Sequence, residues 1–421
     1  MKDIEFILGI NLQLFAVQVT TQTSLSDEMK TFYDMNLIDY AQANLVHDQF
    51  AQKRPIPQNG GKTIEFRIFA DLEKSLTPIT EGVTPDGNSL DVSKIEATVA
   101  QYGDYVVMSD VLELTAIDNV ILEATKILGR QAGKTLDTIT RNVLHTGTNV
   151  MYASKWSGST EIPVNSRTGL DGTAELKVDT VFQASTFLRA QNAPTINGDF
   201  VGIIHPYNAY TLMRDPEWID AHKYAEPDNI YEGEIGKIGG VRFVQTTEAK
   251  IYDGEKIALG KDASGNDVYT LLINHGGGYS GAITSVAFDG ATVEDDALIG
   301  LYLRIGNAVV LVTDNTSSAI TFASTSITVA DNAPITATDC AAGSVFGTLI
   351  MGADAYGVTE VTGGGLQTIV KQKGSAGTGD PLDQRSSVGW KAIKTAEILI
   401  PQYIVCIESC SSRYSGSARR N

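Results

Sequence analysis

The chain has 421 residues, 43% hydrophobic and 19% charged, with 50 acidic against 32 basic residues and a formal net charge of -18. It can bury a large core and exceeds the usual size of one domain, so two or three modules are expected. Its acidity opposes tight, sequence-independent binding of nucleic acid. Three cysteines without Cys-x-x-Cys spacing argue against a disulfide framework or zinc cluster and fit a reducing cytoplasm.

The chain opens on an apolar run, but Asp3 and Glu5 stand where a secretory signal carries positive charge, and Asn11 and Gln13 interrupt the run. No later stretch approaches the roughly 18 uncharged apolar residues of a membrane helix, so a soluble, non-exported protein without membrane contact is expected. Residues 1 to about 24 read as an extended arm. From Ser26, the residues Met29, Phe32, Tyr33, Leu37, Tyr40, Ala41 and Leu45 recur at threes and fours. That spacing predicts an amphipathic helix ending before Pro55 and Pro57.

Two alternating strands follow. Apolar side chains occupy every second position in Thr63-Ile64-Glu65-Phe66-Arg67-Ile68 and again in Ile95-Glu96-Ala97-Thr98-Val99-Ala100. Between them, the prolines and glycines of Thr77–Gly87 break any ladder and favour turns. A hairpin loop of about 20 residues is unusual in a compact domain and tends to be functional. So long an arm has little of its own chain to lie on, and a neighbouring copy is the expected support.

Asp110 opens the strongest helical pattern. Asp110 and Glu113 have capping-box spacing, and Val111, Leu114, Ile117, Ile121, Leu128, Leu136, Ile139 and Val143 form a stripe that ends at Gly147. As one helix it approaches about 50 Å. Gly129 and Gly133 each weaken it by up to about 1 kcal/mol relative to alanine, so packing must hold it; the pair reads as sites of close approach or bending.

After a glycine-rich connector comes a helix capped near Asp179, carrying Val181, Phe182, Phe187 and Leu188. The buried strand Phe200–Ile204 is next, then a helix from His205-Pro206 through Tyr207, Tyr210, Leu212 and Met213 to Asp215-Pro216. Strands near Val241–Val244 and Ile257–Leu259, a turn at Asp262–Asp267 and a strand Val268–Leu272 make this half mixed α+β. Over residues 276–345 charges nearly vanish, helical periodicity is absent, and short apolar runs such as Ala308–Val312 and Ile320–Phe322 lie between turn residues. That pattern predicts a small all-β module inserted into the host domain. The host resumes after Gly347 and closes with Gly389–Ile393 and Tyr403–Ile407.

No constellation for chemistry emerges. His47, His145, His205, His222 and His275 lack ligand spacing, and His222, two residues from Asp220, reads as part of a solvated polar stretch. Cys406 and Cys410 are expected one in the core and one near the surface. Gly276–Gly278 and Gly363–Gly365 lack the Lys-Ser/Thr of a phosphate loop and read as linkers. The Asp262–Asp267 loop lacks the glutamate that completes an EF-hand, and a hairpin turn explains it. Glu294-Asp295-Asp296 reads as a solvated acidic loop, with weak calcium binding as the alternative. No Gly-x-Ser-x-Gly nucleophile turn is present. Arg413, Arg419 and Arg420 form a basic tail read as a solvated terminus. The expectation is a non-enzyme holding neither cofactor nor metal.

The order of parts (arm, long-loop hairpin, spine helix, α+β domain with an insertion) resembles the major capsid proteins of tailed bacteriophages, whose shell fold is the Hong Kong 97 type. Several strings are similar to the branch typified by coliphage N4: Asn11-Leu12-Gln13-Leu14-Phe15-Ala16, Thr77–Pro85, Tyr231–Gly236 with Thr246–Ile251, and Asp380–Trp390. Residues 276–345 carry no such likeness.

The resemblance implies an N-terminal arm and first helix over 1–59, an extended hairpin over 60–108 and a peripheral domain with the spine helix over 109–194. It further implies an axial domain over 195–275 and 346–388, interrupted by the outward-projecting insertion 276–345, and a peripheral return strand with tail over 389–421. Ile64, Phe66, Ile68, Pro78, Glu81, Pro85, Ile95 and Val99 are the expected inter-subunit contacts. Expected partners are other copies in hexamers and pentamers, a portal, a separate scaffold and a decoration protein, with packaged double-stranded DNA touched only weakly. Assembly is expected in the host bacterial cytoplasm. An encapsulin-like compartment around protein cargo and a β-rich surface adhesin are the alternatives. The particle's contents would separate the first, while the missing export signal and the long helix weigh against the second.

Overall fold

The computed structural model describes Leu37, Ala41 and the chain from Leu45 to Ser412, apart from residues 56–61, 70, 71, 73, 77, 79–81, 83–86, 91, 116–119, 159, 223–233, 255, 256, 307, 361–365, 372, 374–381 and 383. The chain divides into two compact units. One comprises Met1–Asn44, Gln101–Gly133 and Val361–Ile393; the other comprises Leu45–Ala100, Lys134–Glu360 and Lys394–Asn421.

The larger unit is built on a mixed seven-stranded sheet. Its order is Val150–Tyr152, Ile404–Ser409, Val345–Met351, Phe200–Ile204, Val241–Gln245 and Glu234–Ile238, with Ile251–Tyr252 pairing beside Val345–Met351. Successive side chains leave a strand on opposite faces, and both faces here are covered. Phe200, Ile204, Val241, Phe243, Ile350, Val405 and Ile407 pack with Val181, Ala184 and Leu188 of helix Val178–Ala190 and with Leu212 of helix Pro206–Met213. Val201, Ile203, Val244, Leu349, Met351, Ile404 and Cys406 face the other way, onto Phe50, Leu144 and Tyr356. A strand buried on both faces must be apolar throughout, which is why Phe200-Val201-Gly202-Ile203-Ile204 shows no alternation.

Local capping follows the sequence with adjustments. His205 precedes Pro206 at the helix start, and its ring nitrogen accepts from the Tyr207 amide at 3.3 Å. The expected cap near Asp179 is corrected. That helix starts at Val178 after Lys177, which gives no side-chain cap, and the Val178 amide instead donates to Asp215, 37 residues on, at 3.2 Å.

Between Tyr252 and Val345 the chain leaves this sheet, and the strands at the two ends of the excursion are adjacent, with Ile251 opposite Phe346 and Tyr252 opposite Val345. The excursion contains a closed antiparallel barrel: Thr270–Ile273, Tyr279–Asp289, Ala319–Val329, Ala308–Asn315, Tyr302–Ile305 and Pro334–Thr338 in order round the wall. Closure pairs every strand on both sides and removes exposed edges. Leu271, Ile273, Val286, Phe288, Leu303, Ile305, Val310, Val312, Ile320, Phe322, Ile327 and Ile335 fill the interior.

The barrel therefore starts before residue 276, because Thr270–Ile273 is one of its walls and Leu259 lies in its core. Ile257–Leu259 is not a strand. Gly276–Gly278 is a tight barrel turn rather than a linker: Gly278 sits at φ +65° and donates to His275 O at 2.7 Å. A side chain there would meet Val329 O at 2.3 Å.

The hairpin also belongs to the larger unit. Thr63–Phe69 pairs antiparallel with Val92–Thr98, from Thr63 opposite Thr98 to Phe69 opposite Val92. It ends earlier than expected, since Ala100–Ser109 is a separate strand at the edge of the three-stranded sheet Leu366–Lys371, Arg385–Lys394, Ala100–Ser109. That sheet falls largely in the smaller unit, and its middle strand runs through the boundary expected at 388/389.

In the smaller unit the Asp110 amide donates to Gln384 O at 2.9 Å. Gln131 ties helix to sheet, donating to Asp104 Oδ2 at 2.7 Å and accepting from Trp390 Nε1 at 3.3 Å. Helices span Asp110–Thr115 and Val120–Leu144; residues 116–119 between them lie outside the described set. The helix cap is Ser109 rather than Asp110, its hydroxyl accepting from the Leu112 amide at 3.3 Å. Leu37 and Ala41, one turn apart, are helical and fully buried. The rest of the expected first helix up to Asn44 is outside the described residues. Its expected end is corrected, for Leu45–Ala51 is non-helical and Gln52–Arg54 is a strand parallel to Tyr356–Thr359.

Candidate assembly surfaces

The hairpin carries two chemically different faces. On one, Ile64, Phe66 and Ala97 are buried with Leu399, and Ile68, Ile95 and Val99 pack partly against them. Phe66 is fully buried, and its ring would lie 2.3 Å from any side chain at position 357, which is why Gly357 stands there. The base of the arm thus rests on its own chain. This corrects the expectation for Ile64 and Phe66, whose side chains are not free for a neighbour.

The other face is charged. Glu65 lies directly opposite Glu96, a repulsive pair. Lys94 answers both, at 2.6 Å from Glu96 and 3.7 Å from Glu65. The hydrogen bond with Glu96 raises the Lys94 ammonium and lowers the Glu96 carboxyl from their ordinary pKa values. At this exposure the pair contributes little to folding; it defines a salt-sensitive rim.

Beyond the strands the arm offers apolar side chains to water. Leu76 is 84% exposed and Leu90 66%, with Leu72 and Val92 also exposed. Pro78 is exposed, while Glu81 and Pro85 lie outside the described residues. Four large apolar side chains on one arm are thus exposed, and exposed apolar groups of this kind are candidates for covering by a partner. A second such run, in the smaller unit, is Tyr105, Val106 and Val107 on the edge strand, continued by Val111 and Leu112 on the following helix turn. The named contacts missed both. The available signal was three leucines in a turn-rich loop and a Tyr-Val-Val-Met run without alternation.

Several polar groups in the core are paired structurally. His47 Nδ1 lies 2.7 Å from Asp137 Oδ2, Thr140 donates to Asp48 Oδ1 at 2.6 Å, Lys394 pairs with Asp48, and the Tyr356 hydroxyl donates to His47 O. Arg304 binds Asp253, Gly343 O and Ser344 at the base of the barrel. Arg167 forks onto Glu408 at 2.7 and 2.5 Å and stacks over Tyr252.

One arrangement looks catalytic at first sight: Cys406 Sγ is 3.4 Å from His145 Nδ1. Burial decides against it, pushing the thiol up and holding the imidazole well below its ordinary value, so neither forms the reactive ion. Among the described residues no group of His, Cys, Asp or Glu could hold a metal ion. Asp262 spends its oxygens on the Ser264 and Asn266 amides, each at 2.8 Å, as a turn does. All three cysteines are buried, which corrects the surface position expected for one of the pair Cys406 and Cys410.

The profile of the family described as phage capsid protein matches residues 92–305. The chain belongs to the phage capsid protein family. The capsid of Ralstonia phage GP4 superposes with a TM-score of 0.50 at 12% identity, covering 86% of each chain. The capsid of cyanophage P-SCSP1u gives 0.48 at 14% identity over 86% of this chain and 87% of that one. The head of Helicobacter pylori bacteriophage KHP40 gives 0.48 at 12% over 85% and 87%. The Ralstonia likeness is one of fold. No curated protein matches the chain. Membership in a capsid family gives this phage capsid protein a structural role, in which the features to explain are its surfaces.

Proposed function

We propose that this chain is the major head protein of a tailed phage, closing as hexamers and pentamers into an icosahedral shell around double-stranded DNA. Within that reading the fold is of the Hong Kong 97 type, in a branch like that of coliphage N4. The arm beyond Phe69 and Val92 lies across the adjacent subunit. The observation that carries the reading is an arm anchored on its own chain through Phe66 yet exposing Leu72, Leu76 and Leu90 beyond the anchor.

Burying those leucines on a neighbour returns roughly 25 cal/mol per Å2. Head-to-tail contacts of this kind generate closed rings, and several modest contacts per subunit make a durable shell. Ile68, Ile95, Val99, Pro78, Glu81 and Pro85 remain contact candidates beside these leucines. The barrel projects outward as an inserted domain, open to a decoration protein. A portal and a separate scaffold complete the virion, which assembles in the host cytoplasm. A net charge of -18 keeps DNA contact weak, leaving the genome mobile.

Expression of the full chain, followed by negative-stain microscopy, should give closed particles. Replacing residues 73–91 by a short turn should give folded, soluble subunits that do not close. Normal shells from the shortened arm would overturn the reading.

A further inference from the structure

We propose that Cys340 and Cys410 are a latent disulfide pair whose oxidation staples the end of the barrel to the last strand of the central sheet. The two residues are 70 apart in sequence, yet their sulfurs lie 3.7 Å apart, and both side chains are fully buried. A disulfide requires the sulfurs to close from that distance to roughly 2.05 Å. Both backbones are already fixed. Gly343 N–H donates to Cys340 O at 3.0 Å, and Cys410 N–H donates to Ala174 O at 2.8 Å. The pocket around the sulfurs is apolar, formed by Ala153, Leu170, Ala174 and Val345.

The third cysteine is set apart. Cys406 packs in a different cluster, with Leu144, Leu349 and Met351, beside His145, and burial pushes its thiol up. Cys340 is different. The Cys410 thiol, aided by the Ala342 and Gly343 amides, draws it below the ordinary thiol value against the effect of burial.

A fully buried site calls for a small oxidant, and hydrogen peroxide is the one proposed. One thiolate of the pair attacks one peroxide oxygen, breaking the O–O bond and leaving a sulfenic acid and hydroxide. The other sulfur then attacks the sulfenic sulfur, the S–S bond forms, and water leaves. Two thiols and one peroxide become one disulfide and two waters. A chain that folds reduced in a cytoplasm would then tighten where the barrel meets the sheet once it meets an oxidising medium.

The test is thiol counting in denaturant after peroxide treatment of the native full chain, with peptide mapping without reductant. Free thiols should fall from three to one. The intact mass should drop by two hydrogens, a single cross-linked peptide should join Cys340 to Cys410, and reductant should restore all three thiols. Cys406→Ala should still lose both remaining thiols, whereas Cys340→Ala should keep both of its own. Wild-type measurement alone decides the matter if a variant misfolds. Three surviving thiols, a bridge using Cys406 or a second chain, or over-oxidation to sulfinic acid in place of a bridge would each overturn the proposal.

Discussion

The barrel and the hairpin are both antiparallel β-structure, yet they end differently. The barrel closes on itself, so its core is complete within one chain and every wall has two neighbours. The hairpin is a two-stranded ribbon, buried at its base by Leu399 and Gly357, with Leu72, Leu76 and Leu90 exposed among the described residues beyond. Two strands alone are marginal in water and need a surface to lie on. The base finds that surface in its own chain. The far part finds it, as proposed, on another copy.

Excision should break the comparison most sharply. Replacing residues 254–343 by a short turn removes the whole barrel and rejoins adjacent strands, so the shortened chain should stay soluble and folded by circular dichroism. Removing 276–345 instead should give insoluble protein, because Leu271 and Ile273 lose their core and the central strand loses Val345. A soluble, folded product from the second deletion would contradict the barrel boundary drawn here.

Phe66→Ala should cost about 3–5 kcal/mol in the isolated subunit, read as a fall in the urea midpoint, because it empties a filled core site. An effect below about 1 kcal/mol would mean that the hairpin base is not anchored as described.

Acid should next separate the barrel from the body. Burial lowers His205 from 6.5 to about 4 and holds His145 well below its usual value, and both lie outside the barrel strands. The unfolded chain then takes up protons that the folded one refuses. Stability present above pH 6.5 is lost as pH falls towards 4, by up to about 3 kcal/mol for His205. Amide exchange should rise first in the central sheet, with the barrel amides following. Earlier loss in the barrel would reverse that order.

The smallest effect on folding is the most discriminating for assembly. Leu76→Ser should change subunit stability by less than about 0.5 kcal/mol while slowing particle formation, followed by light scattering. A large loss of subunit stability would place Leu76 in the chain's own core instead.

Alternation made the hairpin strands legible, and the two-faced burial of Phe200–Ile204 was legible from its unbroken apolar run. The near-absence of charge over 276–345 exposed the barrel but not its start. Thr270–Ile273 follows a charged turn, and composition changes later than topology does. Helical stripes located Val120–Leu144, but they could not reveal that Asp215, distant in sequence, would cap the helix at Val178. The contact surface was the least legible part. Ile64 and Leu76 are equally apolar residues, and only the tertiary position of Leu399 and Gly357 decides which one the chain covers itself.

Hydrogen–deuterium exchange on the free subunit and on the assembled particle measures that division directly. Thr63–Phe69 and Val92–Thr98 should be protected in both states, and residues 72–90 should gain protection only in the particle. Equal protection of 72–90 in the lone subunit, or none gained on assembly, would contradict it.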